Sequence, residues 1–142
     1  MMIRRACITA GLAAAMLLPG APGAQAQSAK LGVVVQVSDD SEKNWNQALN
    51  VLRNIQTEYG RDKVDVELVV FGNGAGLLKF DSQLANRIDE TVADGVRVLM
   101  CENTMKGRKL TPADMHAKIG YVKAGVVEII DRQRLGWAVI RP

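Results

Sequence analysis

The chain predicts an α/β fold: a flavodoxin-like, doubly wound and mostly parallel sheet of about five strands, with helices on both faces. Three observations carry this prediction. LGVVVQV (31–37) and the end of VDVELVVFG (64–72) are near-continuous apolar runs, the pattern of strands covered on both faces. The segments between such runs carry apolar residues at helical spacing. Each interval is also long enough for the crossover helix that a parallel connection needs.

After a short tail at 28–30, residues 31–37 form the first strand. Asp39, Asp40 and Ser41 offer N-caps for a helix carrying Trp45, Ala48, Leu49, Leu52, Ile55 and Tyr59 on one stripe, with Gly60 as its stop. Residues 64–72 form the second strand, and NGAG (73–76) reads as a turn. Leu77, Leu84, Ile88 and Val92 support one or two helices, with Asp81 or Ser82 as a cap and Gly95 as the stop. VRVLM (96–100) is the third strand. A short helix capped by Asn103 or Thr104 follows, and Thr111-Pro112 opens another helical turn. IGYVKAG (119–125) holds a short fourth strand, Val126, Val127 and Ile130 mark a last helix, and WAVI (137–140) closes the sheet after Gly136.

The first 26 residues read as a secretory signal. Arg4 and Arg5 precede an apolar stretch from Ala6 to Leu18, and Ala24-Gln25-Ala26 supplies the small-x-small cleavage pattern. That stretch is shorter than the about 20 residues that span a bilayer. Cleavage after Ala26 leaves one domain, residues 27–142, and predicts a periplasmic protein with no membrane span. It also takes the net charge from +3 to +1. With so little net charge, no basic stripe and only 4% aromatic residues, the domain offers neither the electrostatic footprint nor the stacking platform of a nucleic-acid binder.

Cysteine usage is the most informative feature. Of the two cysteines, Cys7 leaves with the signal, so Cys101 is the lone thiol of the exported chain. It ends an apolar strand, and in open α/β sheets sites form beyond the carboxyl ends of strands, where the strand order reverses. In a flavodoxin-like order this point lies between the first strand, ending at Ser38-Asp39-Asp40, and the third, ending at Cys101. A helix starting at Asn103 or Thr104 would turn backbone N–H groups toward the sulfur, and Lys106, Arg108 and Lys109 would add positive charge. Both favour a thiolate, while Glu102, Asp39 and Asp40 oppose it. A buried structural cysteine satisfies the same residues equally well.

Other candidates are weaker. GNGAG (72–76) follows a strand, but its glycines match neither a dinucleotide fingerprint nor a P-loop. Gly72 and Gly74 therefore read as turn glycines, with a backbone nest for a small anion as the functional alternative. Asp39 is an acid at the same strand end and otherwise a cap. His116, the single histidine, reads as a surface loop residue. One histidine and one cysteine cannot supply the four ligands of structural zinc, so no metal and no cofactor are predicted.

Four stretches, VVVQVSDD with the Trp45 helix, VELVVFGNG, GVRVLMCENTM and YVKAGVVEIIDRQRLGWAVIRP, resemble the DsrE/DsrF-like family of small α/β proteins associated with sulfur relay. In relay members a cysteine at the end of the third strand carries sulfur as a persulfide, and Cys101 matches that position. The resemblance implies a sulfur-handling protein that passes sulfane sulfur through Cys101. The signal segment places it in the periplasm, although the best-known relay members are cytoplasmic. The residues around the strand ends give Asn103, Thr104, Asp39, Gly72 and Gly74 as candidate anion-binding residues. The resemblance also implies thiol or persulfide donors and acceptors as partners, and a homo-oligomer, trimer or hexamer. The alternatives are a non-catalytic binding module for a small anionic ligand or nucleotide, and an oligomeric interaction subunit with a structural cysteine.

Overall fold

The computed structural model describes residues 29–142; the expected signal segment, residues 1–26, lies outside the described residues. The strands are β1 (Leu31–Val37), β2 (Val64–Val70), β3 (Arg97–Cys101), β4 (Gly120–Val122) and β5 (Ala138–Ile140). The helices are α1 (Glu42–Tyr59), α2 (Ala85–Ala93), α3 (Glu102–Gly107) and α4 (Gly125–Arg134). The expected α/β class stands: the five strands form one sheet, every pairing is parallel, and helices cover both faces.

Strand pleating divides the side chains between two cores of unequal size. On one face Val33, Val35 and Val37 of β1, Val66, Leu68 and Val70 of β2, and Val98 and Met100 of β3 pack under α1, α2 and their flanking loops. Leu52 of α1 and Ile88 of α2 are almost completely enclosed there. The opposite face is thinner: Val34, Val69 and Ile129 form its buried centre, with Phe71, Leu99 and Trp137 packed around them, and α4 is the helix that lies on it.

The strand order is β4-β3-β2-β1-β5, so β2 lies between β1 and β3. The crevice expected between the first and third strands is therefore closed by a paired strand. The chain lays down β1 to β4 in one direction, and α4 then carries it back across the sheet to β5 beside β1. The reversal falls between β1 and β5. Apolar runs specify that strands exist; the side on which each crossover returns depends on packing between distant segments.

Of the three caps the sequence offers, Ser41 closes α1, its hydroxyl accepting from Asn44 N, while the Asp39 carboxylate accepts from Ser41 N at 3.0 Å. Two local expectations change. Residues Gly72–Leu78 form a 3-10 helix instead of a plain turn. Cys101 itself, with extended backbone angles, occupies the N-cap position of α3 that was expected of Asn103 or Thr104. The bounds of the first strand match the expectation at both ends, because its valine run and the polar residues after it change character abruptly.

Candidate functional site

Cys101 stands at the carboxyl end of β3, on the thin face with Leu99 and Arg97 two and four residues before it. Across β4 it pairs in register with Val122. The register of β2 against β3 brings the next residue of that chain, Phe71, to its other side. Gly125 begins α4 directly above: a Cβ there would stand 3.2 Å from both Phe71 Cβ and Val69 Cγ1. Absence of a side chain lets the first turn of α4 settle onto the sheet beside the sulfur. Two helices thus start at one thiol, α3 from its own residue and α4 from overhead.

The electrostatics follow from these starts. Cys101 is 5% exposed. Burial pushes the thiol up, but the Thr104 hydroxyl, followed by the backbone N–H groups of Gly125, Thr104 and Asn103, outweighs it and holds the thiol below its ordinary value. The sulfur closes no N-cap hydrogen bond of strict geometry onto α3, so the α3 amides act on it as aligned dipoles. Asn103 N–H is directed to Lys123 O at 3.2 Å, consistent with its place as the weakest of the four. Thr104 is the strongest for a reason visible in its contacts. Gly72 N–H donates to Thr104 Oγ1 at 2.9 Å, which fills a lone pair and leaves the hydroxyl proton free for the sulfur.

Gly72 thereby joins the site, with φ of +58°, a backbone value that suits glycine. Gly74 supports it from behind, where a Cβ would come within 2.8 Å of Val37 O. Asn103 and Thr104 lie in the first turn of α3, on the cysteine. Asp39 is engaged elsewhere: its carboxylate holds the Ser41 amide, and its carbonyl accepts from Trp45 Nε1 at 2.8 Å. The basic residues expected to acidify the thiol are not what lowers it, and Arg108 donates to Asn73 Oδ1 instead, tying α3 to the 3-10 segment. His116 is buried rather than on a surface loop. Its Nδ1 accepts from Lys118 N at 3.2 Å and its Nε2 lies 3.6 Å from Asp89 Oδ1, so its contacts face α2 and not the thiol.

An open hollow of about 300 Å³ flanks the site, lined by Asn103, Val122, Lys123, Ala124, Val127 and Glu128. Among the described residues no group of three or more His, Cys, Asp or Glu side chains could hold a metal, and no helix is long and apolar enough to cross a membrane.

The sequence reading missed a charged cluster beneath α4. Glu67, in the middle of β2, is fully enclosed, and its Oε2 accepts from Arg132 Nε of α4 at 2.9 Å. Its Oε1 lies 2.7 Å from the Nη2 atoms of both Arg97 and Arg132. Oε1 meets no N–H at hydrogen-bonding angles, so both contacts are charge–charge. Both guanidinium groups lie over the Trp137 ring, at 5.5 and 4.8 Å from its centroid. The signal was the acid in the middle of VDVELVV: a carboxylate there, in a strand covered on both faces, needs a cation from another element.

The family model for the DsrE/DsrF-like family matches residues 29–142. Among solved structures, a protein of unknown function from Methanobacterium thermoautotrophicum is similar at 29% identity and a TM-score of 0.76, covering 80% of this chain and 100% of its own. A conserved protein of unknown function from Bacteroides thetaiotaomicron matches at 12% identity and a TM-score of 0.64, over 78% of this chain and 94% of its own. The ychN protein from E. coli matches at 13% identity and 0.61, over 80% and 98%. These last two speak for the fold alone. No curated protein matches the chain. Sheet topology, the thiol at the end of β3 and a family match across every described residue lead to one assignment: the chain belongs to the DsrE/DsrF-like family.

Proposed function

We propose that this protein handles sulfane sulfur in the periplasm, with Cys101 accepting it as a persulfide and passing it to a thiol. The family match supports a role related to sulfur relay. The observation that carries the finer reading is the set of donors around one sulfur: the Thr104 hydroxyl and the Gly125 and Thr104 amides, which favour an anion at Cys101. In loading, the Cys101 thiolate attacks the terminal sulfur of a donor persulfide. A new S–S bond forms at Cys101, the donor's S–S bond breaks, and the donor leaves as a thiolate. Unloading reverses the roles: an acceptor thiolate takes the outer sulfur and Cys101 returns as thiolate. The same donors then serve a persulfide anion, and no external oxidant or reductant is consumed.

Periplasmic location rests on the signal-like residues 1–26. Homo-oligomerisation, as a trimer or hexamer, is part of the same reading. It is supported by Val126, Val127 and Ile130, which turn the outer side of α4 apolar and are each about half exposed, 52%, 51% and 54%.

One observation favours a structural cysteine instead: the 5% exposure of Cys101. The mature protein, incubated with glutathione persulfide and weighed intact, separates the two. A gain of one sulfur, about 32 Da by atomic mass, that is absent in Cys101→Ser is the expected result, with the thiol acting as a nucleophile. No uptake, with alkylation only after unfolding, overturns the reading. Stabilisation by a small anion that survives Cys101→Ser would point to a binding module.

A further inference from the structure

The cluster around Glu67 lies under the same helix whose first amide acts on Cys101. We propose that Arg132, gripped by Glu67, is a positioning residue for Cys101: it fixes α4 on the sheet so that the Gly125 N–H remains over the sulfur. The inference rests on the reading of Cys101 as a reacting thiol and adds the device that keeps it so.

Apolar packing alone gives α4 little purchase. Of its ten residues, only Gly125 and Ile129 are buried, and Val126, Val127 and Ile130 turn outward. Gly125 needs close approach to work, since its backbone rests against Val69 and Phe71. Ile129 contributes one side chain to the small centre with Val34 and Val69. The third hold is Arg132, two turns along the helix from Gly125. Its Nε and Nη2 reach the two oxygens of Glu67, Glu128 braces Nε at 2.9 Å, and Trp137 underlies the guanidinium. Glu67 belongs to β2, the central strand of the sheet, so the helix is referenced to its most rigid part. Arg97 balances the remaining charge from β3, the strand that ends at Cys101. A helix held at Gly125, Ile129 and Arg132 cannot tilt its first turn away without breaking one hold.

The test is the pH midpoint of alkylation at Cys101 in the folded mature protein, with thermal stability measured alongside. Arg132→Met keeps an apolar stem over Trp137 and leaves Arg97 to neutralise Glu67. We expect its midpoint to move up, with alkylation at pH 7 slower by about three- to tenfold. Arg132→Lys, which keeps the charge and loses the fork, should fall between Arg132→Met and the parent. Val33→Ala, in the core on the opposite face, should lose thermal stability with no movement of the midpoint.

An Arg132→Met protein that melts earlier yet keeps the parent midpoint shows an anchor without a positioning role, and overturns the proposal. If Arg132→Met does not fold, the midpoint of Arg132→Lys decides: upward supports, unmoved overturns. Sulfur uptake is read separately. A shifted midpoint in a protein that takes up no sulfur sinks the persulfide reading and leaves the positioning role; sulfur uptake with unmoved midpoints does the reverse.

Discussion

Gly72 N–H and Thr104 Oγ1 meet at 2.9 Å across 32 residues of sequence, joining the start of the 3-10 helix after β2 to the first turn of α3. That hydroxyl satisfies a backbone donor, keeps its own proton free, and helps hold the Cys101 thiol below its ordinary value against the burial that pushes it up. Thr104→Val removes that hydroxyl. We expect stability to fall by about 1–3 kcal/mol from the orphaned Gly72 amide, and the alkylation midpoint of Cys101 to rise. Thr104→Ser should recover both properties. A Thr104→Val protein with an unchanged midpoint would show that the hydroxyl does not act on the thiol.

The lowered thiol has a consequence for stability. The folded-state value lies below that of the unfolded chain, so between the two the unfolded state binds more protons and stability rises with pH. The contribution is fully present above the unfolded value, about 8.5, and is lost as pH falls through the folded one. Denaturant unfolding of the parent and of Cys101→Ser, compared from about pH 6 to pH 9, should show the difference moving in favour of the parent as pH rises. A difference constant with pH would contradict the acidified thiol.

Burial decides the weight of the ion pairs. Arg53–Glu90 joins two side chains that are 62% and 64% exposed, and its removal by Arg53→Ala should change stability by less than about 1 kcal/mol. Glu67→Gln leaves two guanidinium groups without their buried counter-charge, and we expect a loss of about 3–5 kcal/mol. Chemical denaturation of the two variants in one buffer checks the contrast.

The two site glycines should respond differently to alanine. At Gly72 an added Cβ has room, 3.5 Å from Ser38 O, and the cost is the left-handed backbone, about 1–2 kcal/mol. At Gly74 the Cβ would meet Val37 O at 2.8 Å, backbone against backbone, so the 3-10 segment has to move. Gly74→Ala is therefore expected to destabilise more than Gly72→Ala, measured by thermal melting.

Association gives a simpler check. If the outer stripe of α4 joins copies of the chain, Ile130→Asp should lower the mass measured by sedimentation toward that of one chain, with the circular dichroism of the fold retained. A parent protein that sediments as a single chain would remove the oligomer from the proposal.

Much of this architecture was legible because buried parallel strands are spelled in runs of valine and leucine, as in residues 31–37 and the end of residues 64–70. Ser41 and Gly60 marked the ends of α1 by local chemistry, a hydroxyl for a free amide and a positive φ at the stop. Cys101 was legible for a similar reason, since an apolar run ended on it. What stayed hidden depends on partners far apart in the chain. Glu67 and Arg132 are separated by 65 positions, and nothing near either names the other. Asn103 and Thr104 were visible as a helix start, yet the amide that joins them at the sulfur belongs to Gly125, brought there only after the chain crosses β4. The basic run at 106–109 misled because charge near a thiol in sequence need not face it in space.

The outermost strands, β4 and β5, are three residues each. A sheet offers its free rim as a template for another chain, and here that rim spans barely one repeat of hydrogen bonding on either side. Copies of the protein cannot zip into a continuous ribbon through so little backbone. If copies of the chain associate, they would have to do so through side chains on their faces, which leaves the backbone at the thiol end of the sheet outside any strand-to-strand seam.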